Sequence, residues 1–355
     1  VEIKKADLQK ILEDLRPGLA KRDIVNTLSD FTFFGDRIGT FNDQISISYP
    51  FEFGPSCSVD GQSFYQVVMN SVEGDIALRL KEEKEVSEGE KPKLFLIIKS
   101  GGGKEGSKAS LKTSEAVAVN KIKVPSMKSK LWRTIPERFI EGVKFCSFSV
   151  STDLTRPYLT CVAVKKDKIY SSDGLRISQY SLDGEFDEDD FLILGESAAI
   201  LAKYKTIEKY VKDDNWIHFR TEENIIFSCR VIKETFPDVS KHFVIKHGVS
   251  FVLPKGVKEV VDSVSTVADA EFSVDRVVKV SISGNSIECS GRGSQGSFDK
   301  WFTLEKKVEG NIQFGINPLF FSEILSESDL KMKLDENHAL FETEIFQHVM
   351  CLPRK

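Results

Sequence analysis

The feature that most constrains this chain is a recurrence. A short amphipathic helix, a group of strands, a second helix and a further group of strands follow one another. That series begins near residues 6, 135 and 254. A self-similar period of this size marks a domain-sized unit rather than a solenoid repeat. Six segments carry helical spacing of apolar residues. The first runs from Ala6 to Leu15, with Leu8, Ile11, Leu12 and Leu15 on one stripe. The second runs from Gly61 to Val72, with Asp60 as cap and Phe64, Val67 and Val68 inward. The third is expected from Ile135 to Ser147, where Thr134 and Glu137 stand at capping-box spacing. The fourth is expected from Glu196 to Val211 and the fifth from Pro254 to Thr266, with proline at its favoured first position. The sixth runs from Pro318 to Leu325, capped by Asn317.

Between these helices the apolar period falls to two. Ile76-Leu78-Leu80, Ile217-Phe219, Val278-Val280-Ile282 and Met332-Leu334 alternate, and turns rich in Gly, Asp and Asn separate them. Several strands lie between consecutive helices, whereas a doubly wound sheet needs a helix after nearly every strand. The pattern therefore predicts an α+β protein with antiparallel sheets. Expected boundaries give three tandem repeats, 1–120, 121–245 and 246–355, joined through Glu115 to Lys130 and Lys241 to Ser250.

Apolar residues make up 41% of the 355-residue chain and charged residues 29%, which suits a globular protein with sizeable cores. No apolar run approaches the length of a membrane span. The N-terminus, Val-Glu-Ile-Lys-Lys, lacks a signal-peptide apolar region. The six cysteines show no C-x-x-C spacing and are expected to be reduced, buried thiols of a cytoplasmic protein. With a net charge of -5, any contact with nucleic acid has to come from uneven charge distribution.

Two glycine-rich segments invite an enzymatic reading. Gly291-Arg-Gly293-Ser-Gln-Gly296 matches the dinucleotide fingerprint, but its flanks are strand-like, so a hairpin turn is expected. Gly101 to Lys108 has Gly-Ser-Lys where a phosphate loop needs Gly-Lys-Ser or Gly-Lys-Thr, and it too reads as a loop. The five histidines lack metal spacing, and the acids from Asp183 to Asp190 do not follow a calcium loop. The expectation is a protein that is not an enzyme and needs no cofactor or metal. An enzyme using the glycine-rich segments is the reading that nucleotide binding in a thermal-shift assay would support.

Short segments in the second and third repeats resemble the bacterial DNA polymerase III beta-subunit sliding clamps. Ser172-Asp173-Gly174-Leu175-Arg176-Ile177 is similar to that family's T-D-G-H-R-L, with Leu175 in place of the usual histidine. Gly195 to Tyr204 follows at the spacing of the family's next helix. Phe236-Pro237-Asp238, Phe314-Gly315-Ile316-Asn317 and the tail from Val349 to Lys355 resemble its F-P-D, G-F-N and V-M-P-M-R-L segments. Each is short, and their order and spacing carry the resemblance. The first repeat is assigned mainly by pattern.

The resemblance implies the DNA clamp fold and a head-to-tail homodimer. Six similar units would form a ring, with helices lining the hole and sheets outside. Such a ring would hold duplex DNA by topology without base readout. Its partners would be a replicative DNA polymerase and a clamp loader, with no membrane involved. Lys10, Lys21, Arg22, Arg138, Arg156, Tyr158, Lys203 and Lys258 are the residues expected to face DNA; the alternatives are ordinary solvated lysines and, for Tyr158, packing beneath a loop. A partner-peptide groove would be lined by Leu159, Ser172, Gly174, Leu175, Arg176, Ile177, Pro237, His242, Val349, Cys351, Leu352, Pro353 and Arg354. Apolar side chains there would seat the peptide's anchors, and the arginines would bond its carbonyls or acids. The alternative is a monomeric protein of the same fold that serves as an interaction platform and does not encircle DNA.

Overall fold

The computed structural model describes residues 1–20, 28–82, 93–102, 104–116, 126–253, 256–325 and 330–353. The chain divides into two compact units. The first is Val1–Ile135 with Ala199–Val231, and the second is Pro136–Ala198 with Ile232–Lys355. In chain order the first unit supplies β1 (Glu2–Lys4), α1 (Lys5–Leu15), β2 (Asp30–Phe34), β3 (Arg37–Phe41), β4 (Ile45–Pro50), β5 (Cys57–Asp60), α2 (Gly61–Met69), β6 (Asp75–Glu82), β7 (Leu94–Gly102), β8 (Glu105–Ser114) and β9 (Arg133–Thr134). The second unit follows with α3 (Phe139–Ser147), β10 (Cys161–Lys165), β11 (Lys168–Ser172), β12 (Arg176–Ser181) and β13 (Phe191–Leu194). Helix α4 (Gly195–Leu201) leads back to the first unit, which adds β14 (Ile207–Lys212), β15 (Trp216–Thr221) and β16 (Ile226–Ile232). The second unit closes with β17 (Val249–Val252), α5 (Val257–Ser265), β18 (Val278–Gly293), β19 (Gly296–Ile316), α6 (Pro318–Ile324), β20 (Lys331–Leu334), β21 (His338–Glu342) and β22 (Phe346–Cys351).

Within the first unit, antiparallel pairing runs β5-β2-β3-β4-β16-β15-β14-β9. A second sheet, β1-β6-β7-β8, joins the first through two residue pairs of β5 and β8. Alternation explains the burial. Ile76, Leu78, Leu96 and Ile98 turn inward and are essentially inaccessible, while Arg79, Lys81 and Lys99 turn out. Leu8, Leu12 and Leu15 of α1 and Phe64 and Val68 of α2 are fully buried, with Val67 half-buried. Asp60 caps α2 by accepting from the Ser63 amide at 2.8 Å.

The second unit repeats the strand path, pairing β13-β10-β11-β12-β22-β21-β20-β17 in antiparallel register. Its separate sheet is the long β18–β19 hairpin. Val257, Val260, Val261 and Val264 of α5 are buried, as are Val278, Val280, Ile282 and Ile287 of β18. The helix packs against this hairpin at close range. A Cβ on Gly291 would lie 2.1 Å from the Val264 carbonyl, so only glycine admits this approach. The fingerprint-like glycines are thus the end of a hairpin, with Gly293 paired to Gly296. Gly101 and Gly102 pair with Gly106 and Glu105 in the β7–β8 turn, also as expected.

Helix α2 ends at Met69, short of the expected Val72, and two helices differ more from expectation. Thr134 lies in β9, paired with Lys209 of β14, so it does not cap a helix. Helix α3 starts only at Phe139, after Arg138 in a left-handed conformation (φ 62°). The strand ladder takes the backbone that the capping box would have used. The fourth helix stops at Leu201, because Ile207, Tyr210 and Val211 enter β14 against β15. A β-branched and aromatic stretch with a neighbouring strand overrides its helical spacing. Pro254 lies outside the described residues, and α5 begins at Val257 after Gly256. Asn317 caps α6 as expected, accepting from the amides of Leu319 and Phe320.

Candidate functional site: a partner groove in the second unit

The turn between β11 and β12 is organised by Asp173. Its Oδ1 accepts from the amides of Leu175 at 2.9 Å and Arg176 at 3.0 Å. Ser172 Oγ donates to the Arg176 carbonyl at 2.8 Å and accepts from the Gly174 amide. Gly174 occupies φ +92°, which a side chain would strain. The result is a rigid corner that holds Leu175 outward, 42% exposed. The C-terminal strand locks to this corner, since the Cys351 amide donates to the Leu175 carbonyl at 2.8 Å.

Beside the corner lies an apolar bed. Leu159, Phe236, Val239, Phe243, Ile245, Leu340 and Val349 are buried in one cluster, and the half-buried Tyr158, Tyr170, Ile177 and Ile232 pack on it. Lys165 crosses it, donating to the Phe236 carbonyl at 3.1 Å with its ammonium 5.8 Å from the Tyr170 ring. Burial pushes the Tyr170 hydroxyl up to about 12 and the Cys161 thiol up to about 11. The exposed Cys351 thiol is also raised, again first by burial, which disfavours the thiolate. Among the described residues, no cluster of His, Cys, Asp and Glu could hold a metal. The cluster is a packed apolar core beside the turn, and burial holds its Cys161 thiol in the protonated form.

Most of the expected groove residues gather here in different states. Leu159 and Val349 belong to the bed, and Ile177 packs on it. Ser172 is buried, Gly174, Leu175, Pro237, His242 and Cys351 are exposed, and Leu352 and Pro353 are half-buried. Arg354 lies outside the described residues. Arg176 departs most from its expected role. It is buried, with Nε donating to Asp173 at 2.9 Å, Nη1 to Glu323 and Nη2 to the Phe148 carbonyl. Its guanidinium also lies 3.9 Å from the Phe320 ring centre. Each of its three nitrogens donates to its own chain, so it braces the corner from behind. Tyr170, Phe236, Phe243 and Lys165 were not among the expected lining residues. The alternation of β10 and β11 and the Phe of the F-P-D segment were the available signals.

The residues expected to face DNA differ in their local surroundings. Lys10 and Lys203 are exposed. Arg138 pairs with Asp183 at 3.2 Å, Arg156 with Asp153 at 3.4 Å, and Lys258 with Asp262 at 3.3 Å. Tyr158 packs on the apolar bed. Lys21 and Arg22 lie outside the described residues.

No protein-family model matches the chain. Two curated relatives, both described as beta sliding clamps, do. The chain is 29% identical over 221 residues to that of Rickettsia bellii, covering 54% of this chain and 56% of the relative. It is 28% identical over 230 residues to that of Rickettsia felis, covering 58% and 59%. The matched region thus spans little more than half the length of either relative. Likeness of fold extends over the whole chain. The Bacillus subtilis DNA polymerase sliding clamp matches with a TM-score of 0.79 at 18% identity, covering 100% of this chain and 98% of that one. The Helicobacter pylori beta clamp, solved bound to a DNA ligase peptide, matches with a TM-score of 0.77 at 16% identity and full coverage of both chains. The fold is the α+β sliding-clamp fold.

Proposed function

We propose that this divergent relative of the bacterial beta sliding clamps is a non-enzymatic processivity factor, two copies of which close head to tail around duplex DNA. Its work would be tethering, which raises the local concentration of a polymerase at its template without any bond being made or broken. The observation that carries this reading is the agreement of sequence likeness over about half the chain with fold likeness over all of it. In this reading residues 1–120, 121–245 and 246–355 are three repeats of one unit, and the recurrence of one strand path in both eight-stranded sheets supports it. The ring acts in the cytoplasm, and its helices supply weak, sequence-independent phosphate contacts from residues such as Lys10 and Lys203.

Two features support self-association. Over residues 105 to 112, β8 pairs with β7 on one side and with no described strand on the other. Trp301 on β19 is 68% exposed, an unusual cost for a monomer. The groove beside Leu175 is assigned to short peptides of the polymerase and loader, each dropping an apolar anchor onto the bed of Leu159, Phe236 and Val349.

Electron microscopy of lightly cross-linked protein tests the ring. Closed rings with a central hole are expected, and retention on closed circular but not linearised DNA should follow. Single crescents that bind peptides and slip from both DNAs would replace it with the monomeric platform. For the groove, Leu175→Asp should abolish binding of a labelled polymerase-tail peptide and leave rings intact. Unchanged peptide affinity would remove the groove assignment.

A further inference from the structure

The outward face of β6, β7 and β8 is unlike the rest of this acidic chain. Register places Arg79 beside Ile97 and Ile97 beside Ser110. The next row is Lys81, Phe95 and Lys112, and the row on the other side brings Lys99 beside Lys108. Five cations therefore surround an apolar strip formed by Phe95 and Ile97. All five are exposed, and none makes a side-chain hydrogen bond or ion pair with a described residue. The surface is concave, a groove of about 730 Å³, and Glu82 is the one carboxylate among the described residues lining it. Elsewhere in the chain Arg138, Arg156, Arg176, Arg230 and Lys258 are matched with acids.

We propose that this face is a docking site for an acidic peptide carrying apolar anchors. Neighbouring strands lie about 5 Å apart, and alternate residues along a strand about 7 Å apart. Lys81 and Lys112 thus stand on either side of Phe95, with their ammonium groups raised above the floor on long stems. An extended peptide laid along β7 drops an apolar side chain onto the half-buried Phe95, beside the largely covered Ile97. Its intervening carboxylates point away from the floor, at the height of the cationic rim. A nucleic-acid strand fits less well, because base stacking needs open ring faces. Phe95 is half-buried and Ile97 is 6% exposed. The site uses the face of the sheet and leaves the edge of β8 open, so it stands whether or not the chain forms rings.

The test is fluorescence polarisation of the full chain with a labelled Glu-Asp-Glu-Leu-Glu-Phe-Glu-Asp-Glu peptide. A labelled thymidine oligonucleotide of equal charge serves as comparison. Saturable peptide binding that weakens as salt rises is expected. K81E with K112E, both at exposed positions, should weaken it by roughly tenfold or more and flatten the salt dependence, with the melting temperature unchanged. F95T should weaken it by about fivefold without altering the salt dependence, because it removes an apolar contact and no charge. Full affinity in the charge-reversed variant, or no saturable binding, overturns the proposal. An oligonucleotide that binds more tightly than the peptide and is lost in the same variant overturns it in favour of a nucleic-acid surface.

Discussion

Each unit buries one histidine against a serine on the neighbouring strand, and the two pairs sit in different electrostatic company. In the first unit His218 of β15 faces Ser228 of β16, with Nδ1 2.7 Å from the hydroxyl. In the second, His348 of β22 faces Ser178 of β12, with Nδ1 2.8 Å away. Both Nε2 atoms are buried with no hydrogen-bond partner. Burial lowers both imidazoles, but their neighbours act oppositely. The Asp213 carboxylate, 3.9 Å from His218 Nε2, partly restores its basicity and leaves it at about 4. The Arg176 charge adds to burial at His348 and takes it to about 3. Burial thus lowers both imidazoles first, and the nearest fixed charge then acts with opposite sign in the two pairs.

The largest expected effect is the response of both pairs to acid. Each imidazole is neutral when folded and ordinary, near 6.5, when unfolded. The unfolded chain therefore binds protons first as pH falls, and the neutral sites' contribution is complete above 6.5. Below 6.5 each histidine costs roughly 1 kcal/mol of stability per pH unit, down to about 4 for His218 and about 3 for His348. Urea titrations from pH 7 to 4.5 should show a loss of roughly 4 kcal/mol from the pair. The double variant His218→Asn, His348→Asn should lose markedly less. Equal slopes would show that other groups control the acid response.

Arg176→Ala should rank next, at about 3 kcal/mol, because it strands the buried side of Asp173 and opens the space between Phe148 and Phe320. It also sharpens the comparison. With the cation gone, the His348 titration followed by NMR should move up toward that of His218. A His348 value that does not move would dismiss Arg176 as the source of the difference.

The serines come last. Ser178 bonds both His348 and Ser149, which in turn meets Ser171, so Ser178→Ala should cost about 2 kcal/mol. Ser228→Ala strands only His218 Nδ1 and should cost about 1 kcal/mol. Thermal melts of the two variants give the order, and a reversed order would mean that the hydroxyl chain of the second unit contributes little.

Much of the fold was legible as local periodicity. Asp60 and Asn317 announced α2 and α6 by side-chain chemistry one turn from the backbone they cap, and α1 showed in the spacing of Leu8, Leu12 and Leu15. The alternating strands and the glycine hairpins were equally local. The start of α3 and the length of α4 were not. Thr134 and Ile207 carry helix-compatible spacing, and only the pairing of β9, β14 and β15 draws them into strands. The candidate groove was half legible. Leu175 was named only through the family resemblance of its Asp-Gly segment, and the bed of Phe236, Phe243 and Tyr170 comes from segments far apart in the chain.

By itself the sequence determined the α+β class and the turn chemistry, because each depends on residues within one or two turns of each other. Tertiary structure alone decided that Arg176 is a brace, that two histidines are buried with opposite neighbours, and that five cations share one face of β6, β7 and β8. Those outcomes depend on which strands pair and in what register, and register joins residues as far apart in sequence as Ile45 and Cys229, which no local pattern connects.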